Sequence, residues 1–359
     1  MSNSDTRARR TRLRLIAAAG FGLATLPVTP AFADGITLTE TGSTLVHPLF
    51  DLWAAAYAKG HPGVQITTGA TGSGAGIEQA IAGKVQIGTS DAYMSDAEAR
   101  QHSGILNLPL AISAQTVNYN LPGLEKTNVK LDGPTLAGIY SGTITQWDAK
   151  EIATLNPGVA LPHQTIIPVR RADGSGDTFI FTQFLSFSTP AWEMRQSYGI
   201  TVNWPTIAGA LTATGNDGMV KLLQQTPYAI GYVGVSFSDD VAEASLGTAA
   251  LGTNDGPFVL PTQETIEAGA ASLGPRTPPD ERLSLVYAPG PNSYPLVNYE
   301  YAVVSAKQPD AATAAALRRF LLWTILPSEE NQATVASVHF LPLPPHTWEL
   351  SQAQIQMIK

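Results

Sequence analysis

The hydrophobic pattern of the chain switches repeatedly between helical and extended periods, with no internal repeat. PLFDLWAAAYAK (48–59) predicts a helix with proline in its first turn. VQITT (64–68) and VQIGTS (85–90) predict strands, with GIEQAIAG (76–83) a short helix between them. LPLAISAQTVNYNL (108–121) is a long extended run. GPTLAGIYSG and the stretch around TQWDAKEIATLNP are helical, ending in a loop at Asn156-Pro157. TIIPVRR (165–171) predicts a strand and DTFIFTQFLS a helix leaving the turn after it. GMVKLLQQ is helical, YAIGYVGVS a strand, and PLVNYEYAVVS (295–305) another long strand. In DAATAAALRRFLLWTIL the four-residue spacing of Leu317, Leu321 and Ile325 predicts a buried helix stripe. Strands alternating with helices imply an α/β fold with a mostly parallel sheet. The runs at 108–121 and 295–305 fall where a chain would cross between two lobes.

Three stretches share one local order, a strand, a turn of Gly, Ser and Thr, and then a helix. They are TGSTLVHP (41–48), TGSGAGIEQ (71–79) and ADGSGDTF (172–179). Each would aim backbone N–H groups and hydroxyls outward at a helix N-terminus, where an anion is favoured. Singly, each is equally an ordinary helix cap, with Ser73 and Ser175 as capping residues. Three in one chain, with Arg171 on the strand before the third, point to anion binding. Yet Asp173 and Asp177 stand in the same turn as that arginine.

Composition narrows the class. Apolar residues make up 44% and charged residues 14% of 359, which is globular and ample for one large or two medium domains. The first 33 residues read as a leader. Five arginines and one aspartate precede the Gly/Ala-rich apolar IAAAGFGLATLPV, and Ala31-Phe32-Ala33 supplies a cleavage site. The apolar stretch is far short of the ~20 residues a membrane span needs. Arg9-Arg10 hints at the twin-arginine route, but the residues after the pair fit it poorly. No cysteine is present to take a lipid, so the expected product is periplasmic or secreted. Setting that leader aside leaves 16 basic against 28 acidic residues, from totals of 21 and 29, a formal charge of −12. Such a chain is no nucleic-acid binder, and it must hold any anion by local hydrogen bonds.

Enzyme templates fit poorly. TGSGAG lacks the lysine of a nucleotide P-loop, and DGSGD is not the G-x-S-x-G nucleophile elbow. The six histidines (47, 61, 102, 163, 339, 346) show no metal-ligand spacing, so neither a metal nor a cofactor is expected.

From about Gly42 onward the chain resembles the phosphate-binding proteins of bacterial phosphate ABC importers, most of all their mycobacterial branch. The stretches that carry the resemblance are GSTLVHPLFDLW, TGSGAGIEQAIAGKVQIGTSDA, VRRADGSGDTFIFTQFLS, GNDGMVKLL with AIGYVGVSF, and SYPLVNYEYAVV. It implies a two-lobed periplasmic-binding-protein fold of type II-like form, with the ligand in the interlobe cleft and crossing strands joining the lobes. Residues 34–111 and 297–359 would form one lobe and 112–296 the other. It also implies a non-catalytic, monomeric receptor that delivers inorganic phosphate to a membrane permease and its ATPase subunits.

Residue by residue, the resemblance implies phosphate contacts from the hydroxyl and N–H of Thr44 and the N–H of Leu45, where many members have phenylalanine. It implies further contacts from Ser73, Ser175 and Gly176. Asp91 matches the aspartate that accepts the proton of phosphate, and Arg171 the arginine that pairs with its oxygens. Asp173 matches the carboxylate that orients that arginine, and Asp177, threonine in much of the family, implies a second carboxylate contact. As an alternative role, Asp91 is a helix N-cap for SDAEAR, though Ser95 serves that better. Dibasic phosphate has one proton, which satisfies one carboxylate. Asp177 must then draw a hydrogen from monobasic phosphate, from its own protonation, or from Arg171. Three other readings stand beside this one: a receptor for a different oxyanion, a secreted phosphohydrolase, and an adhesin.

Overall fold

The two long extended runs lie side by side as the spine of the molecule. A computed structural model describes residues 35–359, so the expected leader and cleavage site lie outside the described residues. β1 (Ile36–Gly42), α1 (His47–Gly60), β2 (Val64–Thr67), α2 (Ser73–Ile81), β3 (Ile87–Ser90) and α3 (Asp96–Gln101) alternate along the first third. β4 (Ile105–Tyr119) follows, then β5 (Lys130–Leu131), α4 (Gly133–Ser141), α5 (Lys150–Leu155), β6 (Ile167–Arg171), α6 (Gly176–Ser188) and α7 (Pro190–Arg195). The chain continues through β7 (Leu211–Ala213), α8 (Gly215–Gln225), β8 (Ala229–Gly234), α9 (Ser238–Glu243) and the short strands β9 (Gly247–Thr248), β10 (Ala250–Gly252) and β11 (Phe258–Val259). α10 (Gln263–Leu273), β12 (Val297–Ser305), α11 (Ala311–Thr324), α12 (Glu329–Ala336) and α13 (Pro345–Ile355) complete it.

The large sheet runs β2-β1-β3-β12-β4-β8-β6-β7, with β9 also on β4. β1 pairs in parallel with β2 and β3, and β6 in parallel with β7 and β8. β12 is antiparallel to β3 and β4, and β4 is antiparallel to β8 and β9. The sheet is therefore mixed, where the alternation of elements predicted a mostly parallel one. Each antiparallel pair of this sheet involves β4 or β12, which carry the chain out to the second half of the sheet and back. β4 uses Ile105–Ala114 on β12 and Gln115–Tyr119 on β8, so one strand belongs to both halves. Fourteen of its fifteen residues are buried, which explains an apolar run rather than an alternating one. Pro109 is tolerated inside it because the register shifts between Glu300 and Tyr301, passing over Leu110 at a bulge.

α2 packs on β1 and β3, α11 on β1, α6 and α8 on β8, and α13 on β4. Leu317, Leu321 and Ile325 are buried as their spacing predicts. The main apolar core runs through both sheet halves, with Trp53, Trp147, Tyr119 and Phe184 fully enclosed, and two smaller apolar clusters lie under α8 and α2. α13 docks largely through polar groups. Its Ser351 Oγ and Gln354 Nε2 each donate to the buried Glu281 carboxyl, both at 2.6 Å. Burial, opposed by these two bonds, pushes Glu281 up to about 8 from 4.5. Because the folded value is the higher one, the stability it contributes is complete below about 4.5 and is lost as pH rises through about 8. The size of that loss is on the order of a few kcal/mol. Glu281→Gln is expected to flatten the decline in urea midpoint through that window. An unchanged decline would assign it to other groups.

Candidate functional site

Gly42 ends β1 at φ +148°, and a Cβ there would stand 2.0 Å from Thr89 O on β3. The bare backbone lets Ser43 turn inward, its N–H donating to Thr89 O at 3.0 Å. Ser43 Oγ accepts from the N–H groups of Leu45 (3.0 Å) and Val46 (3.2 Å) and donates to Asp91 Oδ1. The Leu45 N–H, expected to face the anion, is thus shared with a hydroxyl of its own turn. Thr44 follows, outside the helix and half-buried.

The second turn brings Ser73 to the start of α2. Its Oγ does not cap that helix but accepts from Asp91 N at 3.2 Å. Ser95, with its capping box, starts α3 and leaves Asp91 out of any capping role. Asp91 is 1% exposed. Burial, and then the charge of Asp177, push it up to about 7, against hydrogen bonds from Glu300 and Ser43 and the charge of Arg171. Gly176 lies against it, and a Cβ there would stand 2.3 Å from Asp91 Oδ2. The first residue of α6 is therefore free to bring its N–H end close to a carboxylate.

The third turn does cap, Ser175 Oγ accepting from Thr178 N at 3.3 Å. By the geometry of a helix start, the Gly176 and Asp177 N–H groups have no intrahelical acceptor. Arg171 leaves β6 with its side chain 1% exposed. Its Nε donates to Asp173 Oδ1 at 2.8 Å and its Nη2 to Asp173 Oδ2 at 2.5 Å, a two-pronged pair. Its Nη1 donates to Asp177 Oδ2 at 2.5 Å and its Nη2 to Thr44 Oγ1 at 3.3 Å. Burial works to lower its pKa, but the Asp173 hydrogen bond and the charges of Asp177 and Asp173 outweigh that and raise it. Burial likewise works against Asp173, whose carboxyl Arg171 nonetheless holds below the ordinary range.

All eight predicted site residues, with Asp173, meet at one place between the two halves of the sheet. Thr44 reaches Arg171, Ser73 and Gly176 flank Asp91, and Gly74 N donates across to Gly174 O at 3.0 Å. Ser236 Oγ adds a second crossing bond, to Leu45 O at 2.7 Å.

Four polar side chains of this cluster escaped the sequence reading: Ser43, Gln115, Asn216 and Glu300. Asn216 Nδ2 donates to Thr44 Oγ1 (2.9 Å) and to Asp177 Oδ2 (2.8 Å), while its Oδ1 accepts from Gly234 N (2.9 Å), which fixes the amide. Gln115 Nε2 donates to Asp177 Oδ1 at 3.1 Å. Asp177 thus draws hydrogens from Arg171, Asn216 and Gln115, the arginine route among the three sources weighed. Thr44 Oγ1 accepts from both Arg171 and Asn216, so its own hydrogen is left to point at a further acceptor in the cleft. Among the described residues no His, Cys, Asp and Glu cluster is placed to hold a metal ion.

A family description, PBP superfamily domain, matches residues 27–328. Phosphate-binding protein PstS of Methanocaldococcus jannaschii is 32% identical over 342 residues, covering 90% of this chain and 87% of that protein. The chain belongs to the PstS family. Phosphate-binding protein PstS 2 of Mycobacterium tuberculosis is 33% identical over 320 residues, covering 86% of this chain and 83% of its own length. A solved human phosphate binding apolipoprotein has the same fold at a TM-score of 0.69 and 21% identity, covering 88% of this chain and 93% of its own. No helix among the described residues is long and apolar enough to cross a membrane.

Proposed function

We propose that this PstS-family protein captures inorganic phosphate, one ion per chain, and delivers it to the permease and ATPase subunits of an ABC importer. The observation that carries this reading is a buried site of two signs. A guanidinium, hydroxyls and the N–H groups of a helix start stand beside Asp91, an acceptor with no counter-charge of its own. Phosphate offers both acceptor oxygens and a P–OH donor, which such a lining fits. Thr44, Ser73, Arg171, Ser175 and Gly176 donate to the oxygens, Leu45 with them when its N–H is released from Ser43. Asp91 accepts the P–OH hydrogen. Asp173 aims Arg171, and Asp177 reaches the anion mainly through that same arginine.

In this reading residues 34–111 and 297–359 form one lobe and 112–296 the other. Closure occurs about β4 and β12, with the Gly74–Gly174 and Ser236–Leu45 bonds forming across the cleft. The receptor is a monomer, works in the periplasm, and does no chemistry on its ligand. Calorimetric titration of the purified protein with phosphate, sulfate and arsenate tests it. One phosphate should bind per chain, sulfate far more weakly, and a generic phosphomonoester should not be turned over. Preference for sulfate would move the protein to another oxyanion, and metal-dependent ester hydrolysis would make it an enzyme.

A further inference from the structure

Glu300 is a fully buried carboxyl in the middle of β12, and the functional reading above gives it no task. It sits at the bulge where β12 shifts register against β4, a feature that re-aims a side chain locally. Its Oε1 accepts from Ser113 Oγ on β4. Its Oε2 is buried and receives no donor from any described residue. What remains beside it is the carboxyl of Asp91: Tyr301 pairs with Ser90 in register, Asn298 on the same face of β12 donates to Asp91 O, and each carboxyl acts on the other as a hydrogen-bonding neighbour. Two carboxyl groups can share a hydrogen bond only through a proton. Arg171, the buried cation that acts on Asp91, is already engaged by Asp173, Asp177 and Thr44 and makes no bond to Glu300.

We infer that Glu300 is a specificity-determining positioning residue, a neutral acid that donates to Asp91 and so keeps Asp91 an acceptor toward the hydroxyl of the ligand. This rests on the phosphate reading. The argument concerns where one proton resides. The charged groups facing the pair are Asp177 from α6 and Arg171 from β6, and the neutral ones are Ser43, Ser73, Ser113 and Asn298. Burial, and then the charge of Asp91, raise Glu300 well above the carboxylate range. Asp91 has the Ser43 donor and the N-terminal end of α6 against it, both of which favour its charge, whereas Glu300 has Ser113 alone and an unpartnered Oε2. The first proton taken up by the pair therefore settles on Glu300. With Glu300 donating on one side and Ser43 on another, the charge on Asp91 is held by two hydrogen bonds in a dry site. Without the Glu300 donor, Asp91 would itself take up a proton. A protonated Asp91 donates as well as accepts, and it would serve sulfate as readily as phosphate.

Glu300→Gln and Glu300→Leu separate this role from packing. Glutamine donates to Asp91 and accepts from Ser113 as the neutral acid does, so Glu300→Gln should keep both affinity and discrimination close to wild type. Glu300→Leu should lower the phosphate-over-sulfate preference by about tenfold or more. Sulfate should gain most at mildly acidic pH. Infrared spectra of the ligand-free protein give a readout independent of any anion. One of the C=O bands of buried protonated carboxyls in wild type, separate from that of Glu281, should vanish in Glu300→Gln and move, rather than vanish, in Glu300→Leu. Loss of discrimination in Glu300→Gln equal to that in Glu300→Leu would overturn the inference, as would an infrared band unchanged in Glu300→Gln. Wild type that binds neither anion would overturn the phosphate reading instead, while the band would still decide the state of the pair.

Discussion

Arg171→Ala is expected to weaken phosphate binding by ~2–4 kcal/mol, because it removes a full positive charge from the cleft. The structure adds a second effect. Asp177 is 1% exposed and loses its charged partner, and breaking a buried ion pair costs about 3–5 kcal/mol of stability when nothing else compensates. Asn216 and Gln115 still donate to Asp177, so the loss should fall at or below the lower end of that range. Combining Arg171→Ala with Asp177→Asn removes the more deeply buried of the two orphaned charges, Asp173 being the more exposed. The double variant should recover much of the stability while binding phosphate no better than Arg171→Ala alone. Calorimetry and urea unfolding on the same preparations separate the two. Normal phosphate binding by Arg171→Ala would disprove the assignment of this arginine to the ligand.

Asp91→Asn should change which anion is accepted rather than whether one is. Sulfate has no hydrogen to offer Asp91, and two unmatched acceptor surfaces in a buried site cost ~3 kcal/mol or more, over a hundredfold in affinity. An amide of the same shape can present an N–H to the anion and keep its oxygen for Ser43 Oγ. Sulfate binding should therefore rise toward that of phosphate, and competition titrations at one pH would show it. Sulfate binding that stays as weak as in wild type would place the filter elsewhere in the cleft.

How much of this was legible beforehand depended on whether a residue's task was local. α1, α6, α11, β4 and β12 are long and strongly patterned, and the sequence predicts them within a few residues of their ends. β1 has only Ile36 and Leu38 as aliphatics, and it is a strand because β2 and β3 pair on both its sides. α13 buries Thr347, Ser351 and Gln354, so it shows no apolar stripe although it docks firmly. The three glycine-rich turns announced the donors of the site, because cap and cradle chemistry is written in neighbouring residues. Glu300 and Gln115 left a weaker trace, a polar residue inside an apolar strand, which burial tolerates only with partners. Asn216 left none, since asparagine in a first helical turn is commonplace. Its two donations depend on elements 172 and 39 residues away.

The enclosure of Arg171 between two carboxylates also bears on how fast the ligand arrives. Its field is cancelled before it reaches solvent, and the chain as a whole carries a formal charge of −8. A dissolved anion is not steered toward the cleft and meets, if anything, a faint repulsion that dissolved salt screens away. For the hinged receptor proposed above, encounter is then left to diffusion and to how often the two lobes part. Such a trap would work at nearly the same rate in dilute and in briny surroundings, and it would recognise its cargo only after the door has opened.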